Sequence, residues 1–291
     1  MKSPFLLVIS LFILTNISPL NAQNSSPWDG SQFRKGQFFI SWGYNRAQYS
    51  PSDIHLWGPG YDFTLYDVLS SDRPENFATR TYLNPAHLAI PQYNFKMGYY
   101  LTEKISVSIL DDHMKYVMRN WQAVRMTGNI DTTASEIYAG HYQDSIMVLS
   151  RQFLYFEHTN GLNLVGVEID FLDSLWASRK HKIRLNMEMG LGAGLLVPRS
   201  DVAVFDKQGA NIFHVAGFGL SGHLGLRFDL GKHFFFRFSM KAGYIGLPDI
   251  YTYADRSHGA SQHFMFIQEY GQLGYCFRIK GIPRSASGKN K

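Results

Sequence analysis

The sequence predicts an all-β fold, a transmembrane antiparallel β-barrel, from three observations. Long segments alternate at every second residue, which is the period of a strand and not of a helix. The apolar phase of these segments is aromatic and uncharged, whereas the other phase carries small residues and charges of both signs. The connections between segments are alternately short and long. Lipid-facing and interior-facing positions alternate in this way in membrane barrels, which have short periplasmic turns and longer extracellular loops.

The segment 218–244 shows the alternation most clearly. Gly231-Lys232 divides it into the two strands of a hairpin. One sheet of a large soluble sandwich is the alternative for this hairpin taken alone. The apolar phase contains Phe218, Leu220, Leu224, Leu226, Phe228, Phe234, Phe236, Phe238 and Met240.

The N-terminus favours the membrane alternative. Lys2, an apolar run over 5–14 and Ala22 form the pattern of a secretory signal peptide, predicted over residues 1–22. The run is too short to span a bilayer comfortably as a helix. Export without a spanning helix, combined with lipid-facing strands, indicates the outer membrane of a Gram-negative cell. We expect a periplasmic lead-in over 23–35, the barrel over 36–279 and a disordered basic tail over 280–291.

The charge distribution excludes nucleic acid as an expected partner. The formal net charge of +5 comes from 28 Lys and Arg against 23 Asp and Glu. Lys2 and the four basic residues of 280–291 account for the excess of five, so the barrel region is balanced. No basic patch is present in the sequence. Cys276 is the single cysteine, which excludes an internal disulfide.

Eight strands are predicted, with both termini in the periplasm. They cover roughly 37–49, 90–101, 105–119, 152–172, 182–197, 213–230, 233–247 and 263–279. The connection 50–88 is expected to be a large extracellular loop with its own hairpin, or an extra strand pair that would make ten strands. The connection 120–149 is expected to be a second long polar loop.

The third strand contains a conflict in its pattern. Asp111 falls on the lipid phase, where a charge is costly. A β-bulge near Asp111-Asp112 would shift the phase and make Met114, Tyr116 and Met118 the apolar set.

Charges on the interior phase are predicted to form an ion-paired lumen. Buried charges are tolerated when they are paired, and both signs are present. A narrow ion or water path is the alternative. We expect no metal and no cofactor. The predicted network is Glu168, Asp170, Arg184, Glu188, Arg227, Asp229, Arg237 and Lys241, with His223 on the same phase.

A second group of polar residues is predicted at the outer rim. Asp112 and His113 lie on one strand, and His158 and Thr159 lie on the next. A histidine held by a carboxylate can act as a general base. The alternative is a structural polar belt beneath the loops.

The chain resembles the small eight-stranded outer-membrane β-barrel proteins of the kind found in Bacteroidota, through its Phe- and Tyr-rich strands and long loops. The closing Tyr275-x-Phe277 is similar to the C-terminal aromatic signal that the barrel assembly machinery reads, although about twelve residues follow it. The stretch 158–163, with Glu168 after it, is loosely similar to the lipid A deacylase barrels. That resemblance implies catalytic roles for His158 and Glu168. The family's serine position is Asn160 here, so Thr159 is the adjacent hydroxyl.

Three functional hypotheses follow. The first is a non-enzymatic, structural or partner-binding barrel that acts through its extracellular loops. The second is an outer-membrane lipid hydrolase that uses His158, Thr159, Glu168, Asp112 or His113. The third is a small-solute channel. The expected partners are outer-membrane lipid and lipopolysaccharide, a protein or glycan at the loops, and the barrel assembly machinery during biogenesis.

Overall fold

A computed structural model describes residues 34–75, 91–178, 182–209, 211–253 and 256–279. The predicted signal peptide and basic tail, and most of the predicted lead-in, lie outside these residues. No helix among the described residues has the length and apolar character needed to cross a membrane.

The described residues form fifteen strands. These are β1 Phe38–Tyr49, β2 Ser52–Gly58, β3 Tyr61–Val68, β4 Ser70–Ser71, β5 Tyr93–Tyr100, β6 Ile105–Met118, β7 Ala123–Ile130, β8 Gly140–Val148, β9 Leu154–Ala177, β10 Ile183–Pro198, β11 Asp201–Val204, β12 Lys207–Gln208, β13 Gly217–Leu230, β14 Phe234–Tyr251 and β15 Gly259–Phe277.

Eight strands close into an antiparallel barrel in the order β1-β5-β6-β9-β10-β13-β14-β15, because β15 pairs back with β1. The predicted eight-stranded barrel is confirmed. The ten-stranded alternative is wrong, since β2 and β3 join the wall above this ring and do not enter it. Register partners followed around the ring from Phe38 return to β1 at Gln48, ten residues further along. This stagger tilts the strands against the barrel axis.

The outer face of the ring is an apolar belt. Ile169, Leu191 and Leu224 expose 59 %, 76 % and 57 % of their surface, and their sequence neighbours point inward. An exposed apolar surface of this extent marks contact with lipid or with a partner. A closed barrel satisfies every backbone hydrogen bond and can therefore span a bilayer. The predicted outer-membrane location agrees with this architecture.

Several ring strands continue above the belt as a taller wall. β2 continues β1 beyond Pro51, β7 continues β6, β8 leads into β9, and β11 continues β10. β2, β3, β7 and β8 pair in that order next to the top of β15, while β11 pairs with the top of β9. The connection 120–149, predicted as a polar loop, is therefore a hairpin. Its strands were missed because their stabilising partner, β3, is distant in sequence.

An apolar core fills this upper part, which we call the upper barrel. The phase prediction above Asp111 was wrong. The register shift lies between Met114 and Tyr116, and both side chains are buried with Met118 in this core, not turned toward lipid. Asp111 instead faces outward and accepts a hydrogen bond from Tyr93 Oη at 2.8 Å. Other members of the core are Leu56, Phe63, Leu65, Met126, Phe153, Phe156, Leu162, Leu196, Ile245 and Phe264.

Candidate functional site

The structure places every member of the predicted lumen network inside the barrel. Arg184 is the most accessible at 8 % exposed, and Glu168, Asp170 and Arg237 are fully buried. Their strands β9, β10, β13 and β14 are adjacent in the ring, so alternate residues point into one space.

At the end of the barrel that carries the short turns, the network is built around Asp229. Arg227 Nε lies 2.8 Å from Asp229 Oδ1. Arg34 bonds the other oxygen of Asp229 and also donates to Asn186 Oδ1 at 2.8 Å. The Arg227 guanidinium packs 3.6 Å from the centre of the Phe235 ring and contacts the Tyr100 hydroxyl. Sequence reasoning missed Arg34, because its pairing with Asp229 leaves no local pattern in the sequence.

Nearer the middle of the lumen, two lysines bridge several strands. Lys241 Nζ lies 2.6 Å from Asp112 Oδ2 and 3.1 Å from Glu168 Oε2. Lys96 Nζ lies 3.0 Å from Asp170 Oδ1 and also contacts Glu168. β5, β6, β9 and β14 are thereby tied together through the interior. An eight-stranded barrel is just wide enough to be filled by side chains, and these ion pairs fill it.

One set of lumen residues has the composition of a cation site. Glu168, Asp170 and His223 bring one ligand atom each within 4.8 Å of one another. His223 Nδ1 lies 3.3 Å from Glu168 Oε1. Lys96 and Lys241 already contact these carboxylates, and two fixed ammonium groups repel a divalent cation at such distances. The set therefore serves as counter-charge for the lysines.

His158 lies inside the upper barrel and is fully buried. Its Nδ1 is 2.8 Å from Ser200 Oγ, and its Nε2 is 3.4 Å from Gln262 Oε1. The Gln262 amide donates to Ser52 Oγ at 2.8 Å and to Tyr116 Oη at 2.6 Å. Burial lowers the pKa of His158 to about 4, so the ring is neutral at pH 7. This cluster satisfies buried polar groups within an apolar core.

The five predicted catalytic residues do not come together. Thr159 donates to Glu157 Oε1 at 2.6 Å, next to the buried His158. Glu168 and Asp112 belong to the lumen network. His113 points to the outside of the barrel. The His158–Glu168 arrangement that the lipid A deacylase resemblance implies is therefore absent from this structure.

His113 is held in a defined tautomer. Its Nδ1 lies 2.7 Å from Asn163 Oδ1, and Asn163 Nδ2 donates to the carbonyl of Val197 at 3.1 Å. Since the amide nitrogen is used as a donor, its oxygen must accept, and His113 Nδ1 carries the proton. His113 Nε2 is then an unprotonated acceptor. The His113 ring stacks on Tyr93 at 4.9 Å, and Tyr93 stacks on Trp42 at 4.2 Å.

Two outward charges lie two residues further along β1 than the register partner of Tyr93. Arg46 and Glu269 are direct cross-strand partners on β1 and β15, and both are exposed. We call Trp42, Arg46, Tyr93, Asp111, His113 and Glu269 the rim cluster. The register line from Asp111 continues through Val165, Leu195 and Phe218, which are all apolar and outward. On this register line the polar interruption of the belt therefore ends at β6, whereas two residues higher it continues to Asn163 on β9.

Comparisons with known proteins give weak similarity to solved structures and no match to a family. No family model matches the chain, and no curated protein matches it. Among solved structures, the outer membrane protein AlkL is 10 % identical, with a TM-score of 0.37, over 87 % of this chain and 96 % of that one. Ail of Yersinia pestis is 14 % identical, with a TM-score of 0.34, over 84 % and 99 %. OprG of Pseudomonas aeruginosa is 11 % identical, with a TM-score of 0.38, over 84 % and 98 %.

Proposed function

We propose that this protein is a closed, non-enzymatic outer-membrane barrel whose extracellular wall binds a polar partner, a glycan or a protein. The observation that carries the proposal is that the long connections are folded into strands. They are folded into β2, β3, β7, β8, β11 and β12 around the apolar core of the upper barrel. Such a wall is a fixed surface held above the membrane.

The interior of the barrel supports this reading over a channel. The ion-paired network occupies the lumen, and the apolar core occupies the space above it. A passing solute would have to separate buried ion pairs and also displace packed aromatic rings. Both steps are costly.

The outer face of β2, β3 and β7 has the composition of a recognition surface. His55 Nε2 pairs with Asp62 Oδ1 at 2.8 Å, and the His55 ring lies 5.1 Å from that of Trp57. Arg125 packs over the Tyr66 ring at 5.3 Å. Aromatic residues and arginine are enriched where proteins bind partners.

Surface display tests the proposal. Host cells carrying the barrel are applied to a printed glycan array and to a panel of immobilised extracellular proteins. We expect binding that is lost in a Trp57→Ala/Arg125→Ala double variant and kept in Lys104→Ala, whose exposed side chain lies at the opposite end of the barrel. Binding that the double variant retains in full would contradict the assignment to this face.

A lipid hydrolase is the second candidate, and His113 is the observation that favours it. Its side chain lies on the outward phase of β6 and is 7 % exposed, and no hydrogen bond within the described residues occupies Nε2. His113 Nε2 would take a proton from water as the water oxygen attacks the ester carbonyl, and would return it to the departing alkoxide. Mass spectrometry of lipids from cells with wild type, His113→Ala, His158→Ala or no protein tests this. Acyl loss that requires His113 supports it, whereas identical lipids exclude it.

A further inference from the structure

We propose that the barrel thins the bilayer locally along β1, β5 and β6. The apolar belt is a wedge, which is short on that side and tall along β10 and β13. The acyl chains of the membrane cover the tall side, because its apolar residues are continuous with the belt. The proposal concerns only the outer face of the ring, so it depends on neither an extracellular partner nor lipid hydrolysis.

On the short side, outward polar residues begin close to the turn. β6 begins at Ile105, and Asp111 is already the fourth outward residue of the strand. Arg46 on β1 and the Tyr93 hydroxyl on β5 mark the same boundary. A charged side chain on the lipid face is destabilising at the bilayer midplane and nearly neutral at the interface. The headgroups are therefore expected to reach down to the level of Asp111 on this side.

On the tall side, the apolar strip extends much further. Every outward residue of β13 from Leu230 up to Phe218 is apolar or glycine. The connection from β12 to β13 continues this strip just before Phe218 in the sequence. Its Phe213 and Val215 expose 53 % and 57 % of their surface, and Phe218 itself exposes 48 %. β15 is the transition between the two sides, because Glu269 faces outward while apolar residues lie above it.

The strand register converts these positions into heights. One circuit of the ring raises the register by ten residues over eight strands, or about 1.25 residues per strand. The register line from Asp111 to Phe218 crosses three strand pairs, so Phe218 lies about four residues higher than Asp111. A strand tilted by about 35–45° rises about 2.5 Å per residue along the barrel axis.

The apolar strip therefore differs about twofold in height around the ring. From Ile105 to Asp111 it is six residues, or roughly 15 Å, along β6. From Leu230 to Phe218 it is twelve residues, or roughly 30 Å, along β13. The usual apolar band of a membrane barrel is about 25 Å tall. A bilayer thins beside an apolar surface that is shorter than its hydrocarbon core, and this condition holds on the β6 side.

The lower edge of the belt argues against a tilted barrel with a uniform belt. The register line from Ile105 reaches Leu224 on β13, so the same conversion places Phe228 at the height of Ile105. The apolar strip continues below Phe228 to Leu230, the last residue of β13. Tilting would raise the lower edge of the belt on β13 together with its upper edge. Because the lower edge is not raised, the belt is a wedge.

Depth measurements with nitroxide spin labels test the wedge. Cysteines are introduced singly into a Cys276→Ser protein, which removes the native thiol. Two exposed positions at one height are Ile109 and Leu224, and two at a lower height are Ile105 and Phe228. Power-saturation EPR in phosphatidylcholine vesicles compares relaxation by oxygen with relaxation by a water-soluble nickel chelate. We expect the label at Leu224 to lie at least about 5 Å nearer the midplane than the label at Ile109.

Each alternative gives a different pattern. Equal depths at Ile109 and Leu224 would overturn the proposal, because a uniform belt places these positions level. A label at Phe228 that is shallower than the label at Ile105 would overturn it in favour of a tilted barrel. A label at Leu224 that neither oxygen nor the chelate reaches would show a second protein on the tall side, and would also overturn it. Heat-dependent gel mobility verifies that each labelled variant is folded.

Discussion

Lys241 on β14 reaches across the lumen to Asp112 on β6, with Nζ 2.6 Å from Oδ2. The same ammonium lies 3.1 Å from Glu168 Oε2 on β9. Strands on different sides of the ring are therefore joined by one buried cation. Because its partners have no access to water, the cation cannot be removed without leaving carboxylates uncompensated.

Lys241→Met is expected to destabilise the barrel strongly. The variant leaves Asp112 and Glu168 buried with one cation fewer, and breaking a buried pair by removing one partner costs about 3–5 kcal/mol. Urea unfolding in lipid vesicles, followed by tryptophan fluorescence, measures the change. A Lys241→Met/Asp112→Asn double variant should recover part of the loss.

The matched control for this prediction is Lys104→Ala. Its ion pair with Asp173 is also short, at 2.7 Å, but 58 % of the lysine side chain is exposed. Exposed pairs contribute roughly 0–1 kcal/mol. If Lys104→Ala and Lys241→Met shift the unfolding midpoint equally, the lumen network does not carry the stability assigned to it.

Two glycines on paired strands should respond differently to the same substitution. A Cβ at Gly43 would lie 1.8 Å from the carbonyl oxygen of Gly271, which belongs to the neighbouring strand's backbone and cannot rotate away. A Cβ at Gly271 would meet nothing closer than the Phe236 ring at 3.6 Å. We expect Gly43→Ala to lower the yield of folded barrel, because overpacking typically costs about 1–3 kcal/mol or more. Gly271→Ala should fold normally. Heat-dependent gel mobility compares them, and equal yields would contradict the prediction.

The ring could be predicted from the sequence because each strand carries its own period-two pattern. In β10, for example, Leu185, Met187 and Met189 alternate with Asn186 and Glu188. The upper barrel could not be predicted in this way. β8 has no buried face, and β7 pairs with β3, which is remote in sequence.

The contacts within the candidate sites could not be predicted from the sequence either. The inward position of Lys241 followed from alternation, but its pairing with Asp112 depends on the ring closing. His158 lies on a polar stretch of the sequence, yet it is buried, with Ser200 from the β10–β11 connection and Gln262 from β15 as its hydrogen-bond partners. His113 and Asn163 are register partners, which only the pairing of β6 with β9 reveals.

Wild-type protein in planar bilayers is expected to show no steady ion conductance. The Arg237 guanidinium is fully buried, and its Nη2 lies 3.3 Å from Glu188 Oε1 within the filled lumen. Arg237→Ala should remain silent as well, since the apolar core above it is unchanged. The contrary result would be conductance steps in wild type, with a different step size in Arg237→Ala. That result would support the channel alternative and contradict the closed-barrel proposal.

The buried His158 should make stability depend on pH in a predictable direction. Burial lowers its pKa in the folded state to about 4, whereas an exposed histidine in the unfolded chain titrates near 6.5. Between these values the unfolded state binds the additional proton, so acid favours unfolding. The His158 contribution is therefore fully present above about pH 6.5 and is lost as the pH falls toward 4, by about 3 kcal/mol in total.

Comparison with His158→Gln isolates this contribution from other titrating groups. Glutamine can bond Ser200 and Gln262 but cannot take up the proton. The free energy of unfolding of wild type relative to the variant should therefore fall by roughly 1.4 kcal/mol per pH unit between about pH 6 and 4.5. Urea titrations in vesicles at several pH values give this difference. Parallel curves for the two proteins would show that His158 is accessible to protons in the folded barrel, contrary to its position in the upper core.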